Sequence, residues 1–380
     1  MQQYRIEFFK NHYSETASER RLIYVHHDFI NDISIDDDYL SLMTTSVDIR
    51  PTTKVETGHL VRILRDNKDY FFGIVTEASP GDNFTRVSFK PFVSIFDEEI
   101  VFDVLDQYRM GENPGEGLEP TLKKYIDAYY VNNSDHLQNY PLTVTTSAST
   151  YWTKKWSMNI RGDEGSRYAV VGLYQDLIVK ALKEYGVAIR FTPNFSTGTI
   201  AAVISKPSGS ISIDADLDNV TIKTFKVTDR PIGVNKITVV NGETFASINY
   251  YVHPVPNSEG LRFDTDSAHN RITPVMRVIR TVTPTGEYSD DPTTDFIYTA
   301  QAVAYDELSG IQWDNLIELE CMPDDTLVSP SSLRIGQEVT VYHDKVGYTS
   351  ILTGRSITYQ TVTLIFGSER ISYLKKRNSK

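Results

Sequence analysis

Residues 333–355 read LRIGQEVTVYHDKVGYTSILTGR, and a stretch of similar pattern, GHLVRILRDNKDYFFGIVTE, occupies residues 58–77. In both stretches a glycine precedes a strand in which apolar and polar residues alternate, and a polar turn containing Asp follows. A tyrosine comes twelve residues after each glycine and leads into a second strand that runs to another glycine. The residues that define this shared motif are Gly58, Tyr70 and Gly73 in the first stretch and Gly336, Tyr348 and Gly354 in the second.

A third apolar run follows each hairpin, TRVSFKPF from Thr85 and TVTLIF from Thr361. Position-by-position identity between the two stretches is poor, so the similarity rests on pattern and spacing. Two interpretations are open: one chain carries two copies of the same β module, or it carries two unrelated β-meanders of ordinary design.

The composition limits the class of protein. A chain of 380 residues is too long for one ordinary core, and 40% apolar with 23% charged residues is typical of a soluble globular protein. No run approaches the roughly 20 apolar residues of a membrane span, and the N-terminus lacks the pattern of a secretion signal. The single Cys321 excludes an internal disulfide and a Cys-rich zinc cluster, which predicts a protein made in a reducing cytoplasm.

The negative charge is concentrated near the N-terminus. Residues 1–120 contain 22 Asp and Glu against 12 Lys and Arg, a net charge of −10 out of −12 for the whole chain. A protein that binds nucleic acid generically needs the opposite sign to neutralise phosphates. The sequence therefore argues against direct DNA binding, although DNA could pass close to such a surface without adhering.

The pattern predicts an α+β, mainly β protein: two similar small β-barrels, an α+β domain between them and a loop-rich insertion in the second barrel. Helical spacing of apolar residues predicts one helix from Leu118 and a second from Ser166, a potential N-cap, to Gly186. The predicted boundaries are 1–105 for the first barrel, 106–206 for the α+β domain, 207–250 with 315–371 for the second barrel, 251–314 for the insertion and 372–380 for a basic tail.

Several short motifs could indicate chemistry, but each has a simpler interpretation. Neighbouring residues of a strand point to opposite faces, which argues against His26-His27-Asp28 as a metal site. The run Asp36-Asp37-Asp38 lacks calcium-loop spacing, and the glycine-rich stretch 111–117 lacks the Gly-Lys-Ser/Thr ending of a phosphate loop. Cys321 has no recognisable nucleophile context and no GxSxG motif occurs. The sequence predicts no catalytic residue, no metal site and no cofactor.

The C-terminal stretch 315–371 resembles the closing segment of phage tail hub proteins, a family that includes the N-terminal part of siphophage tail-associated lysins and the baseplate hubs of contractile tails. The matching motifs are a P-x-x-L-x-I-G-Q turn at 330–337, a Y-x-S-I-L-T-G strand at 348–354 and a T-L-I-F-G strand at 363–367. The resemblance covers about 55 residues directly and extends over the rest only through the order of its parts.

The resemblance implies a homotrimeric structural virion protein at the tail tip or baseplate of a siphophage, assembled in the host cytoplasm. Each subunit of such a hub contributes two β-barrels, so that three chains present six similar units to a hexameric distal tail protein ring. Further implied partners are the tape measure protein and receptor-binding proteins, with DNA passing through during ejection. Some members continue into a hydrolase domain, whereas this chain stops at Lys380, so no enzymatic activity is expected.

The charge asymmetry predicts an acidic lumen, with Asp97, Glu98, Glu99 and Asp103 as candidate lining residues. The alternative is that these acids face bulk solvent and only increase solubility. Two other functions also remain open at the sequence level: a tail-associated cell-wall hydrolase and a carbohydrate-binding tail module.

Overall fold

The computed structural model describes residues 4–14, 19–30, 33–103, 117–135, 139–147, 168–216, 220–227, 236–254, 261–265, 277–284, 289, 291–308, 315–323 and 333–367. The glycine-rich residues 111–116 and the basic tail 372–380 lie outside this set. Strands dominate the described residues and a few short helices accompany them, which confirms the mainly β prediction.

The described residues of the N-terminal region form seven strands. They are β1 Tyr4–Ser14, β2 Glu19–Ile30, β3 Ser34–Asp38, β4 Thr45–Ile49, β5 Leu60–Arg65, β6 Lys68–Pro80 and β7 Thr85–Pro91. Six of them form the first sheet in the order β2-β1-β5-β6-β7-β4, and all pairs in it are antiparallel. Alternate residues are buried along β4 and β7, as expected for a sheet with one face toward a core.

The two end strands of this sheet approach each other, and one side chain connects them. Asp28 at the end of β2 accepts a hydrogen bond from the backbone N–H of Arg50, just after β4, at 2.6 Å, and another from its Nε at 2.8 Å. Burial raises the pKa of Asp28, but these bonds and one from the N–H of Phe29 outweigh it and leave the pKa below its ordinary value. Although no backbone ladder joins β2 to β4 among the described residues, this carboxylate links the two ends.

The middle region combines short helices with short strands. Its elements are β8 Glu99–Asp103, α1 Leu118–Ile126, β9 Leu142–Thr146, β10 Tyr168–Gly172, α2 Val179–Tyr185, β11 Ala188–Asn194 and β12 Thr199–Ser205. A π-helical turn, Asp127–Val131, extends α1, and another, Leu173–Ile178, precedes α2. Gly186 ends α2 in the left-handed conformation (φ 70°), and its N–H bonds to the carbonyl of Leu182.

Two predicted boundaries need correction here. β8 pairs with β10, so residues 99–103 belong to the middle unit and not to the first sheet. For the same reason the second helical region begins at Leu173 and not near Ser166: residues 168–172 are used as a strand, because β8 offers a pairing partner that helical spacing does not reveal.

Among the described residues, the C-terminal region contributes ten strands and the longest helix. They are β13 Ser210–Asp214, β14 Val220–Val227, β15 Lys236–Asn241, β16 Ser247–Pro254, β17 Leu261–Asp264, β18 Arg277–Val282, α3 Pro292–Leu308, β19 Asn315–Cys321, β20 Glu338–His343, β21 Val346–Thr358 and β22 Val362–Phe366. None of the helices among the described residues has the length and apolar character needed to cross a membrane.

The second sheet has the order β13-β20-β21-β22-β19-β14, and a seventh strand pairs with the far end of β21. That seventh strand is β3, from the N-terminal region, whose residues 34–38 pair antiparallel with residues 354–358. The predicted division into an N-terminal and a C-terminal β unit is therefore incomplete, since the second sheet requires a strand that lies between β2 and β4 in sequence.

The insertion is a compact unit of its own. β15 and β16 join β17 and β18 in a four-stranded sheet, and Phe296, Ala300 and Ala304 of α3 pack on Ile237 and Val239 of β15. The prediction assigned residues up to 250 to the second barrel, which is wrong for this hairpin. Its apolar face is covered by α3, so it has no reason to join the second sheet.

The first and second sheets share one hydrophobic cluster. It includes Ile6, Val61 and Phe89 from the first sheet and Val339 and Phe366 from the second. A separate cluster fills the middle unit and reaches the first sheet through Phe9 and Leu60. The two β units are thus packed on a common core.

Candidate functional site: two equivalent strand modules

The repeated stretches fold in the same way. We call β5–β7 with the preceding Gly58 module 1, and β20–β22 with the preceding Gly336 module 2. The glycines have φ 85° and 80°, a region that favours glycine. Both hairpins turn through two residues with positive φ, which matches a type I′ turn and the right-handed twist of the strands. These turn residues are Asp66 (51°) and Asn67 (60°) in module 1, and Asp344 (50°) and Lys345 (64°) in module 2.

The hydrogen bonds that begin each module also correspond. In each module, the glycine N–H donates to the carbonyl of one residue in the second strand. The N–H of that second-strand residue donates back to the carbonyl of the residue after the glycine. The bonds are Gly58 N to Val75 O (2.8 Å) and Val75 N to His59 O (2.8 Å), then Gly336 N to Leu352 O (2.8 Å) and Leu352 N to Gln337 O (3.0 Å). Because the hydrogen bonds are equivalent, the two stretches share their backbone geometry as well as their sequence pattern.

The second and third strands of each module share an irregularity. One residue, Thr76 in module 1 and Thr353 in module 2, is bulged out of the ladder at the same place. The core positions on all three strands of each module are filled alike and almost fully buried. The equivalent pairs are Val61 and Val339, Ile63 and Val341, Val75 and Leu352, Val87 and Leu364, and Phe89 and Phe366.

The register corrects part of the sequence motif. Ile63 pairs with Phe71, whereas its counterpart Val341 pairs with Tyr348, because Tyr70 is an extra, bulged residue in module 1. Phe71, and not Tyr70, therefore occupies the ladder position of Tyr348. Tyr70 is instead used outside the module, where its hydroxyl donates to the carbonyl of Pro323 at 2.8 Å.

The closing glycines of the motif are not equivalent either. Val61 pairs with Gly73 and Val339 pairs with Ser350, so Ser350 is the counterpart of Gly73. Beyond the shared bulge, the counterpart of Gly354 is Glu77. Spacing alone misses the tyrosine shift because the extra residue at Tyr70 displaces everything after it by one position. The closing glycines differ in spacing itself, since they follow the first glycine by 15 residues in module 1 and by 18 in module 2.

The modules differ in what covers one edge. In module 2, residues 354–358 pair with β22 on one side and with β3 on the other. In module 1, the equivalent residues 77–80 pair with β7 and with no other strand in the described part of the chain, and Glu77, Ser79 and Pro80 are exposed. A Cβ on Gly354 would lie 3.0 Å from the Cα of Asp38, so the absence of a side chain allows β3 to approach.

The β3 contact brings charged groups into the interior. Asp37 lies opposite Arg355 in the ladder, and Arg355 is 6% exposed, with its guanidinium donating to the carbonyl of Leu333. Burial raises the pKa of Asp37 to about 6, because the lowering effect of Arg355 is smaller and the carboxylate of Asp38 adds to the rise. No ion pair joins Asp37 to Arg355 in this described segment, so the carboxylate is only partly compensated.

The candidate lumen residues lie together at the boundary of the first sheet and the middle unit. Asp97, Glu98 and Glu99 are exposed and follow the 3₁₀ turn Phe92–Phe96 directly. The hydroxyl of Tyr130 donates to Glu98 at 3.3 Å, and burial, then the charge of Glu98, raises the pKa of Tyr130. The side chain of Asp103 lies outside the described residues. The single chain therefore presents three adjacent exposed acids.

The other sequence candidates have structural roles. The carboxylate of Asp28 is bound by Arg50, as described above, so it is not free to join His26 and His27 at a metal. Cys321 is buried, and its Sγ lies 3.4 Å from the carbonyl of Val362, as a core residue would.

One cluster of possible metal ligands escaped the sequence reasoning. Ligand atoms of Asp216, His343 and Asp344 lie within 4.8 Å of one another, and both aspartates are exposed. Only the pairing of β13 with β20 brings Asp216 near the turn of module 2, so no spacing in the sequence indicates the group. Exposed clusters of this kind are common without a metal, and nothing else in their surroundings indicates an ion.

No protein-family model matches the chain, and no curated protein does. Among solved structures, the chain is similar to the tail protein from Neisseria meningitidis MC58, with 12% identity and a TM-score of 0.45 over 96% of this chain and 97% of that one. It is similar to the 43 kDa tail protein of prophage MuSo2 from Shewanella oneidensis (13%, 0.44, 96% and 98%). It is also similar to a chain of the phage P2 baseplate in its activated conformation with Ca (12%, 0.45, 96% and 98%). At these identities and TM-scores, the similarities carry no conclusion about what this chain does.

Replacing Asp37 with Asn should stabilise the protein near neutral pH. A carboxyl whose pKa is raised in the folded state favours folding when protonated and opposes it once ionised, so the cost of Asp37 appears as pH rises from about 4 through about 6. We expect the variant to unfold with a free energy higher by up to about 2 kcal/mol at pH 7 and unchanged at pH 4. Urea unfolding at both pH values measures this, with Asp36→Asn on the opposite face as the control. An equal effect at both pH values would contradict the assignment.

A side chain at Gly354 should displace β3. Gly354→Val places methyl groups against the backbone of Asp38, and we expect a loss of about 1–3 kcal/mol in unfolding free energy. The matched control is Glu77→Val, the equivalent position on the open edge of module 1, which should change stability by about 0.5 kcal/mol or less. Thermal and urea unfolding of both variants decide the point, since similar losses would mean that the two edges do not differ.

Proposed function

We propose that this chain is a structural protein of a phage tail, and that three copies form the central hub at the tail tip of a siphophage. The observation that carries the proposal is the presence of two modules with matching turns, bulges and buried positions in one chain. Three such chains around an axis present six near-equivalent modules, which is what a three-fold component needs in order to contact a six-fold one. The tail hub resemblance of residues 315–371 supports the same conclusion.

In this assembly the modules, completed by their neighbouring strands as two barrel-like units, face the hexameric distal tail protein ring. The connection of β2 to β4 through Asp28 and Arg50 supports a nearly closed first unit. The hub closes or gates the tube exit and anchors the receptor-binding proteins, with the tape measure protein ending nearby. The function is mechanical and not enzymatic, the site of action is the virion, and assembly takes place in the host cytoplasm.

The three exposed acids Asp97, Glu98 and Glu99 give the hub a surface suited to DNA passage. Each basic contact with a phosphate would add attraction and slow the DNA, whereas carboxylates repel it at short range. The three acids lie together in each subunit, and in the proposed trimer they face the axis, where three subunits contribute nine carboxylates. We include Asp103 in this proposal because it is the last residue of β8, the strand that begins at Glu99.

The purified protein should be a trimer, alone or on its tail ring. Light scattering after gel filtration should give three times the 43.1 kDa chain mass. Electron micrographs of the particle should show a ring with six similar densities. A monomer, both alone and together with the distal tail ring, would count decisively against the proposal, and so would hydrolysis of peptidoglycan by the isolated chain.

Reversing the charge of the proposed lumen should impair DNA ejection without affecting assembly. Phage carrying Asp97→Lys with Glu99→Lys should eject DNA more slowly and lose infectivity on the order of tenfold, because two phosphate contacts per subunit are added. The matched control reverses two exposed acids outside both modules, Asp135→Lys in the middle unit with Glu243→Lys in the insertion, and should leave ejection unchanged. Equal loss in both, with intact particles, would place the acids on an outer surface.

A further inference from the structure

A cavity of about 730 Å³ lies where the middle unit meets the second sheet. Its walls come from β11, the end of β12, the connection to β13 and the residues that precede β20. Three of the lining side chains are cationic, Arg190, Lys206 and Arg334, and no Asp or Glu is among the described residues of the lining. In a chain with a net charge of −12, a cavity whose charged lining residues are all cationic stands out.

The cations come from separate parts of the chain and are held by the fold. The guanidinium of Arg190 donates to Oγ of Ser205 at 2.6 Å and to its carbonyl at 3.3 Å. Gln337, 6% exposed, donates from Nε2 to the carbonyl of Gly209 at 2.5 Å and fixes the connection that carries Lys206. Arg334 lies just ahead of Gln337, so module 2 positions the third cation.

The two arginines carry an electrostatic cost. Among the ion pairs of the described residues, none joins Arg190 or Arg334 to a carboxylate. Burial, and then the nearby charge of Arg334, lower the pKa of Arg190, so the two guanidinium groups repel each other. Among the groups that affect Arg190, Tyr39 alone raises its pKa. An anion placed between them would remove this repulsion.

We propose that this cavity binds a phosphate group. Arginine forks match the oxygens of phosphate with paired hydrogen bonds, and lysine adds a point charge. Serine hydroxyls line the rest of the polar wall, from Ser147, Ser205, Ser208 and Ser210. The volume exceeds that of a phosphate ion, so a phosphate ester of a small molecule fits as well as free phosphate. This site is independent of the proposed hub function.

The test measures binding by isothermal calorimetry on the full chain at low and constant ionic strength. Inorganic phosphate and glycerol phosphate are the two probes, and they separate a free ion from an ester. Acetate is the control anion. We expect both phosphates to bind and Arg334→Gln, at an exposed position, to weaken binding about 10–100-fold, as the loss of a charge-assisted contact does. Arg277→Gln, an exposed arginine of the insertion, should leave the affinity within about twofold.

A second variant keeps the proposal testable if Arg334→Gln alters the fold. Ser208→Asp removes no cation but puts a carboxylate into the cavity from an exposed position, and it should abolish phosphate binding. Absence of phosphate binding to the wild-type chain would overturn the proposal. Equal binding of acetate, or equal weakening by Arg277→Gln, would also overturn it by showing general charge attraction in place of a built site.

Discussion

Strand β3 is the segment on which the arrangement of the two β units depends. It lies between two strands of the first sheet in sequence, yet its backbone completes the second sheet along residues 354–358. Backbone hydrogen bonds in a sheet edge require a partner, so module 2 is incomplete without the N-terminal region. The hydrophobic cluster that the two sheets share also makes each β unit depend on the other. The two units must form together, and their relative position is fixed by a ladder as well as by apolar packing.

The strand contact also explains why the pKa values of Asp28 and Asp37 are shifted in opposite directions. Asp28 receives three hydrogen bonds from Arg50 and Phe29, and its charged form is stabilised. Asp37 lies beside Asp38 and opposite Arg355 in the ladder, without an ion pair to Arg355 among the described residues, and burial destabilises its charged form. The first carboxylate strengthens the closure of one sheet. The second is tolerated because the backbone and apolar residues of β3 hold it in place.

Much of the module geometry could be predicted from local sequence. The glycine, the Asp-containing two-residue turn and the alternating apolar residues indicate a hairpin by rules that depend on neighbours only. Tyr70 is where this reasoning fails, because an extra bulged residue leaves the spacing of the tyrosines intact while it shifts the ladder. The pairing of β3 with β21 and the convergence of Arg190 with Arg334 depend on contacts between distant segments. Hairpin β15–β16 was misplaced since nothing local shows that α3 covers it.

The open edge of module 1 bears on how the protein avoids uncontrolled polymerisation. A duplicated module whose copies differ by one missing strand invites the missing strand from another molecule, and such exchange can continue without end. Pro80 occupies the position equivalent to Ile357, which pairs with Ile35 of β3. The N–H of Gly81 points toward Phe84 across the hairpin, so the nitrogen of Pro80 faces the open side, where it has no hydrogen to donate. A single imino acid thus makes this edge, which pairs with no second strand among the described residues, a poor template for a strand of another molecule.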